Sequence, residues 1–124
     1  AFLANVGLTS VSFGDAQNPN TQPFVDAFTA KNGTEPGPFT NYAYDAANIA
    51  MLSMLSAGND GKAVKSMLPF ISNHYIGTAF QSYLDENGDQ AIAYYTIFTV
   101  NPEGTEFVPV GDYDGQTDTV TLGE

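Results

Sequence analysis

The chain has 124 residues, with 14 Asp and Glu against three lysines and no arginine, for a formal net charge of −11 at pH 7. Neutralising phosphates or an anionic bilayer needs a basic patch, and Lys31, Lys62 and Lys65 are too few to build one, so nucleic-acid binding and a basic membrane-surface helix are excluded. The absence of cysteine removes disulfides, a CxxC redox pair and thiolate zinc sites, while 43% apolar and 13% aromatic residues supply a packed core at ordinary single-domain length.

Residues 2–13 (FLANVGLTSVSF) are rich in Val, Leu, Thr and Phe and predict a strand over 6–12. Turn residues crowd 14–23. Thr21 offers an N-cap, and Pro23 sits in the first helical turn, where a missing N–H costs nothing. Phe24, Val25 and Phe28 share a face and Gly33 supplies a left-handed stop, so 22–32 reads as a helix. Two prolines and two glycines interrupt 33–38. The spacing of Tyr42, Ala46, Ile49 and Ala50 predicts a second helix over 40–57, ended by Gly58. Its apolar-leaning part, 43–55, holds Asp45, Asn48 and Ser53 and is too short and polar to span a membrane. Asp60 caps a third helix over 60–72, with Val64, Met67, Leu68 and Ile71 on one face. Pro69 is expected to shorten or bend it.

After Gly77 the pattern alternates, and 78–84 reads as a strand with Phe80 and Leu84 on one face. Asn87-Gly88 is a hairpin turn. Residues 91–100 (AIAYYTIFTV) form the strongest strand, Pro102-Glu103-Gly104 turns it, and 107–110 returns. The tail from Gly111 carries four acidic residues and little apolar content, and is expected to be poorly ordered or to pair only in part. One strand before three helices leaves helix faces uncovered. Either the final strands cover them, or the chain is one end of a larger α/β protein.

Motifs add little chemistry. His74 is the only histidine. It defines no catalytic geometry and reads as a partly exposed residue ending the third helix, where an imidazolium suits the dipole. Asp85-Glu86-Asn87-Gly88-Asp89 suggests a calcium loop, but Gln90 and Thr96 stand where the EF-hand pattern needs glycine and glutamate, so it reads as a solvated hairpin tip. Asn32-Gly33-Thr34 satisfies the short glycosylation sequon. There is no GxGxxG, P-loop, HExxH or GxSxG, and nothing names an enzyme. Among the aromatics Phe39, Tyr42, Tyr44, Tyr75, Tyr94 and Tyr95, the pair Phe39 and Tyr42 brackets the entry of the second helix. Rings there either wall a small-molecule pocket or staple the helix end, and spacing alone favours the staple.

An ordered set of features resembles one family. Phe24, Phe28, Gly33 and Pro36 give F-x-x-x-F … G-x-x-P. Tyr44-Asp45-Ala46 opens a long helix, and Asp60-Gly61 to Leu68 gives a shorter one. Tyr75-Ile76-Gly77 and then Leu84-Asp85-Glu86-Asn87-Gly88-Asp89 precede a closing strand. Over residues 4–110 this set resembles the C-terminal part of type I periplasmic binding proteins, specifically the branched-chain amino acid (leucine/isoleucine/valine) receptors of ABC importers. Ala79 and Phe80 depart from it, standing where the family often has Thr-Gly.

The resemblance implies an α/β fold, the C-terminal part of a two-lobed protein: strand, three helices, then a three-stranded antiparallel tail. It implies a hinge crossing over about residues 2–13, an N-terminal-lobe portion over about 14–105, and a return strand and tail over 106–124. Any signal peptide and most of the ligand site would lie upstream. The implied function is binding an amino acid or similar small polar solute by two-lobe closure, with no bond made or broken and no cofactor or metal. The implied partner is a membrane permease, and the implied location is extracytoplasmic, in the periplasm or lipid-anchored on the outer face. Phe39 takes the place of a pocket aromatic, Tyr42 is a weaker neighbour, and Asp45 is structural. A ligand-sensing domain of a signalling receptor with the same fold is a second reading. A small stand-alone α+β protein is a third, weakened by the lack of a nucleophile–base set. A segment of this kind is expected to expose apolar surface and to dimerise or swap a strand.

Overall fold

The computed structural model describes residues 6–14, 18–79 and 81–123. In chain order they form β1 (Thr9–Phe13), α1 (Thr21–Asn32), α2 (Thr40–Ala57), α3 (Gly61–His74), β2 (Tyr94–Val100), β3 (Phe107–Asp114) and β4 (Thr119–Leu122). The expected succession of a strand, three helices and three antiparallel strands is present. The chain divides into two compact units. One joins its two ends, through residue 16 and from residue 92, and the other is residues 17–91. Among the described residues no helix is long and apolar enough to cross a membrane.

The end-joining unit is an antiparallel sheet in the order β1-β2-β3-β4. Its strands are built from β-branched and aromatic residues, which suit a pleated surface. Phe13 pairs with Tyr95, and Tyr95 with Tyr113. Their rings follow the register across three strands, with centroids 5.6 and 6.1 Å apart. The β2–β3 register shifts between Ile97 and Phe98, opposite Pro109 and Gly111. A proline has no N–H for the ladder, and an extra residue there absorbs the gap. Gly111 also lies so close to β4 that a Cβ would press on the Thr121 carbonyl.

Three strand expectations are corrected. The first strand starts at Thr9 rather than residue 6, because Val6 and Gly7 form a turn with Gly7 at φ +60°. The stretch 78–84 is not a strand and holds only the isolated bridges Ile76↔Gln81 and Leu84↔Gln90. Side chains take its backbone donors instead: Tyr83 N–H donates to Gln90 Oε1 and Leu84 N–H to Asn73 Oδ1. Phe80, half of the face expected there, lies outside the described residues, as do residues 2–5 of the expected hinge crossing. The tail is ordered into the end of β3 and all of β4. Its acidic residues serve the turn: Asp114 Oδ1 accepts the N–H of Gln116 at 2.7 Å, and Asp118 adopts φ +52°.

The helical unit follows the capping residues. Gly33 takes φ +73° and donates to the Thr29 carbonyl, while Asp60 Oδ1 accepts from Lys62 and Ala63 at the start of α3. Thr21 is not a cap. It is the first residue of α1, and its hydroxyl donates to the Thr78 carbonyl at 2.6 Å. Pro69 does not shorten α3, which runs on to His74. The exposed His74 ends the helix as expected, with Nδ1 2.7 Å from the Phe70 carbonyl. Among described residues the buried hydrophobics are only Ile49 and Ala79 in the helical unit and Val100 on β2, and the helical unit also buries Asp45, Ser53, Ser72, Thr78 and Ser82.

Candidate ligand-binding region

The region lies in the helical unit, around the entry of α2. Phe39 precedes the helix at φ +65° and ψ +4°, the left-handed region, and its side chain is 57% exposed. A bulky residue rarely adopts that backbone. Having no side-chain oxygen, Phe39 cannot cap the helix, and Asn41 Oδ1 instead accepts the Tyr42 N–H at 3.0 Å. The Phe39 and Tyr42 rings meet edge-on, centroids 5.8 Å apart. Tyr42 also lines a cavity of about 280 Å³ between α2, α3 and residues 82–90, together with Ile49, Leu68 and Ser72. The structure thus brings the two candidate residues together, one ring exposed and the other at a cavity wall.

One turn further on, Asp45 organises the loop after α3. It is 8% exposed, and its carboxylate accepts Thr78 N–H at 2.8 Å, Ala79 N–H at 3.0 Å and the Thr78 hydroxyl at 3.1 Å. The Tyr75 hydroxyl lies 3.5 Å away. Burial and the nearby Asp45 charge raise the Tyr75 pKa above its ordinary value. From the other side, Asn18 and Asn20 amides donate to the Gly77 carbonyl. Gly77 passes so close to Asp45 that a Cβ would overlap the carboxylate. Asp45 is therefore structural, through the N–H groups of a remote loop.

The same loop forms one wall of a groove of about 660 Å³. Phe24 and Phe28 of α1 and Tyr44 of α2 form the aromatic side, with Phe24–Tyr44 centroids 5.0 Å apart and Phe24–Phe28 centroids 5.9 Å apart. Tyr75 and Ile76 face them, and Lys31 also lines the groove. Read in sequence alone, each of these residues has a packing role or none. Lys31 and Ile76 carry no local signal, because residues 24–31, 44 and 75–78 meet only in the fold. Tyr94 and Tyr95 belong to the sheet unit.

The Asp85 segment is a closed turn. Asp85 Oδ1 accepts N–H groups from Asn87 at 2.8 Å and Asp89 at 2.9 Å, and Gly88 takes φ +89°. Those backbone donors, Asp89 first, hold the Asp85 carboxyl below its ordinary pKa. Among the described residues no three His, Asp or Glu side chains group to hold a metal.

No family model and no curated protein matches this sequence. Solved structures do match. A leucine-binding protein from Thermotoga maritima superposes with a TM-score of 0.62 at 24% identity, over 82% of this chain and 30% of its own. An ABC transporter substrate-binding protein from Desulfitobacterium hafniense, solved with leucine, gives 0.57 at 22% identity over 82% of this chain and 31% of its own. A second structure of that description from the same organism gives 0.57 at 21%. The chain carries part of the type I periplasmic-binding-protein fold. It spans under a third of the length of these proteins.

Proposed function

We propose that this chain is the C-terminal segment of a solute-binding component of an ABC importer. In this reading it helps bind an amino acid or similar small polar solute outside the cytoplasm, and the complete receptor delivers it to a membrane permease. The hinge crossing falls at about residues 2–13, the N-terminal-lobe portion at 14–105, and the return strand and tail at 106–124. Capture is by lobe closure, with no bond made or broken.

The fold supports the class, since the matched structures include a leucine-binding protein and a substrate-binding protein solved with leucine. Phe39 is the observation that carries the site. A large ring left exposed on a left-handed backbone gains little from burial and bears conformational cost. Covering an apolar ligand side chain, with Tyr42 beside it, accounts for that expense of stability.

The test is a titration of the longest natural polypeptide carrying this sequence with amino acids, amides and urea, following Tm. A ligand at 100 times its Kd stabilises by about 2.7 kcal/mol, a readable shift. Phe39→Ala should weaken the responding ligand about tenfold, as expected for losing one aromatic contact. No response to any of these solutes, or full affinity in Phe39→Ala, would overturn the proposal.

A further inference from the structure

We propose that the groove between α1, the start of α2 and residues 75–78 is a second binding site, separate from Phe39 and Tyr42, for a small aromatic carboxylate. α1 lines one side of the groove. Phe24, Phe28 and Lys31 follow the i, i+4, i+7 spacing, so one face presents two rings and then a cation. Tyr44 closes the aromatic side, and Ile76 stands opposite. Tyr44 and Ile76 are exposed by 49% and 60%, leaving apolar surface uncovered inside a concave feature. Gly77 also lines the groove; it is buried, and the space its Cβ would take is held by the Asp45 carboxylate.

Charge then selects the ligand. The chain has 14 acidic residues and three lysines, yet the lining contains Lys31 and no Asp or Glu. No carboxylate pairs with Lys31 among the described residues. A flat apolar body would lie against Phe24, Phe28 and Tyr44, and its carboxylate would reach the Lys31 ammonium. An aromatic cation would meet the same rings and be repelled. The ordinary account of Lys31, a cation complementing the C-terminal dipole of α1, predicts a small stability effect and no ligand preference.

The experiment uses the longest natural polypeptide carrying this sequence and three probes sharing one ring: 3-phenylpropionate, 3-phenylpropan-1-ol and phenethylammonium. Binding is followed by backbone amide chemical shifts. The acid should bind about fivefold tighter than the alcohol, the size of an exposed ion pair, and the ammonium weakest of all. Shifts should concentrate at residues 24–31, 44 and 75–78. Lys31→Gln, an exposed change, should abolish the preference of acid over alcohol, while Lys62→Gln on α3 should leave it intact. Equal binding of acid and alcohol, an unchanged preference in Lys31→Gln, or shifts centred elsewhere would each overturn the site. Shifts centred on Phe39 and Tyr42 would assign the acid to the region of the proposed solute site instead.

Discussion

Asp45 concentrates more of the helical unit's polar order than any other described side chain. Its two oxygens hold a loop 33 and 34 residues away, and that loop supplies the groove's far wall. Removing the carboxylate strands the N–H groups of Thr78 and Ala79 in a buried setting. Asp45→Ala should therefore cost about 3 kcal/mol in urea unfolding, and Asp45→Asn less, because an amide keeps one acceptor oxygen. Gly77→Ala should also destabilise, since its Cβ would displace the carboxylate. Tyr75 adds a pH dependence. Its folded pKa is raised above the ordinary 10.0, so the folded state keeps its proton where the unfolded state loses it. That contribution is complete below the unfolded pKa and is lost as pH rises through the folded one. Stability should fall on the alkaline side, and Tyr75→Phe should flatten the fall in denaturation curves taken across that range.

α3 shows how local signals and tertiary context divide the work. Asp60 caps it through Lys62 and Ala63, and Asp60→Ala should cost about 1 kcal/mol. Pro69 lies in its interior, where it removes one backbone bond, yet α3 continues to His74. Pro69→Ala restores that donor but frees the unfolded chain, so a net gain of about 2 kcal/mol is expected, read as a raised urea midpoint. The helices are legible because their boundary signals are local: Gly33 and Gly58 as stops and the Asp60 side chain as a start act within a few residues. The stretch 78–84 was not, because the groups that take its backbone donors, Asp45, Asn73 and Gln90, come from outside it. The candidate site was legible to the same extent. Phe39 and Tyr42 are neighbours at one helix entry, so their closeness is legible in spacing, while a ligand role for them comes from the resemblance alone. The groove and the Asp45 latch join three separate stretches, 24–31, 44–45 and 75–79, and no local window of sequence contains them.

For the molecule as a whole, apolar burial is small relative to what stands outside. Three hydrophobic residues are buried among those described, whereas on α2 Met51, Met54 and Leu55 are exposed by 51%, 50% and 82%. These three lie within one turn and form a continuous apolar strip with Gly58 and Asn59 beside it. A second copy of the chain is the occupant always present in solution, and burying this strip against its equivalent would remove apolar area from water at about 25 cal/mol per Å². Opposing this is a net charge of −11 on each copy. The balance depends on salt, because the Debye length falls from about 30 Å at 0.01 M to about 3 Å at 1 M. The chain should therefore elute near its 13.2 kDa mass in dilute buffer and move to a larger apparent size as salt and protein concentration rise. Met54→Gln with Leu55→Gln should keep it monomeric at high salt. Should the wild-type chain remain a monomer at high salt and concentration, the strip is too weak to self-associate. Association that persists in the double variant would place the contact elsewhere, with the exposed edges of β1 and β4 the next to test by the same measurement.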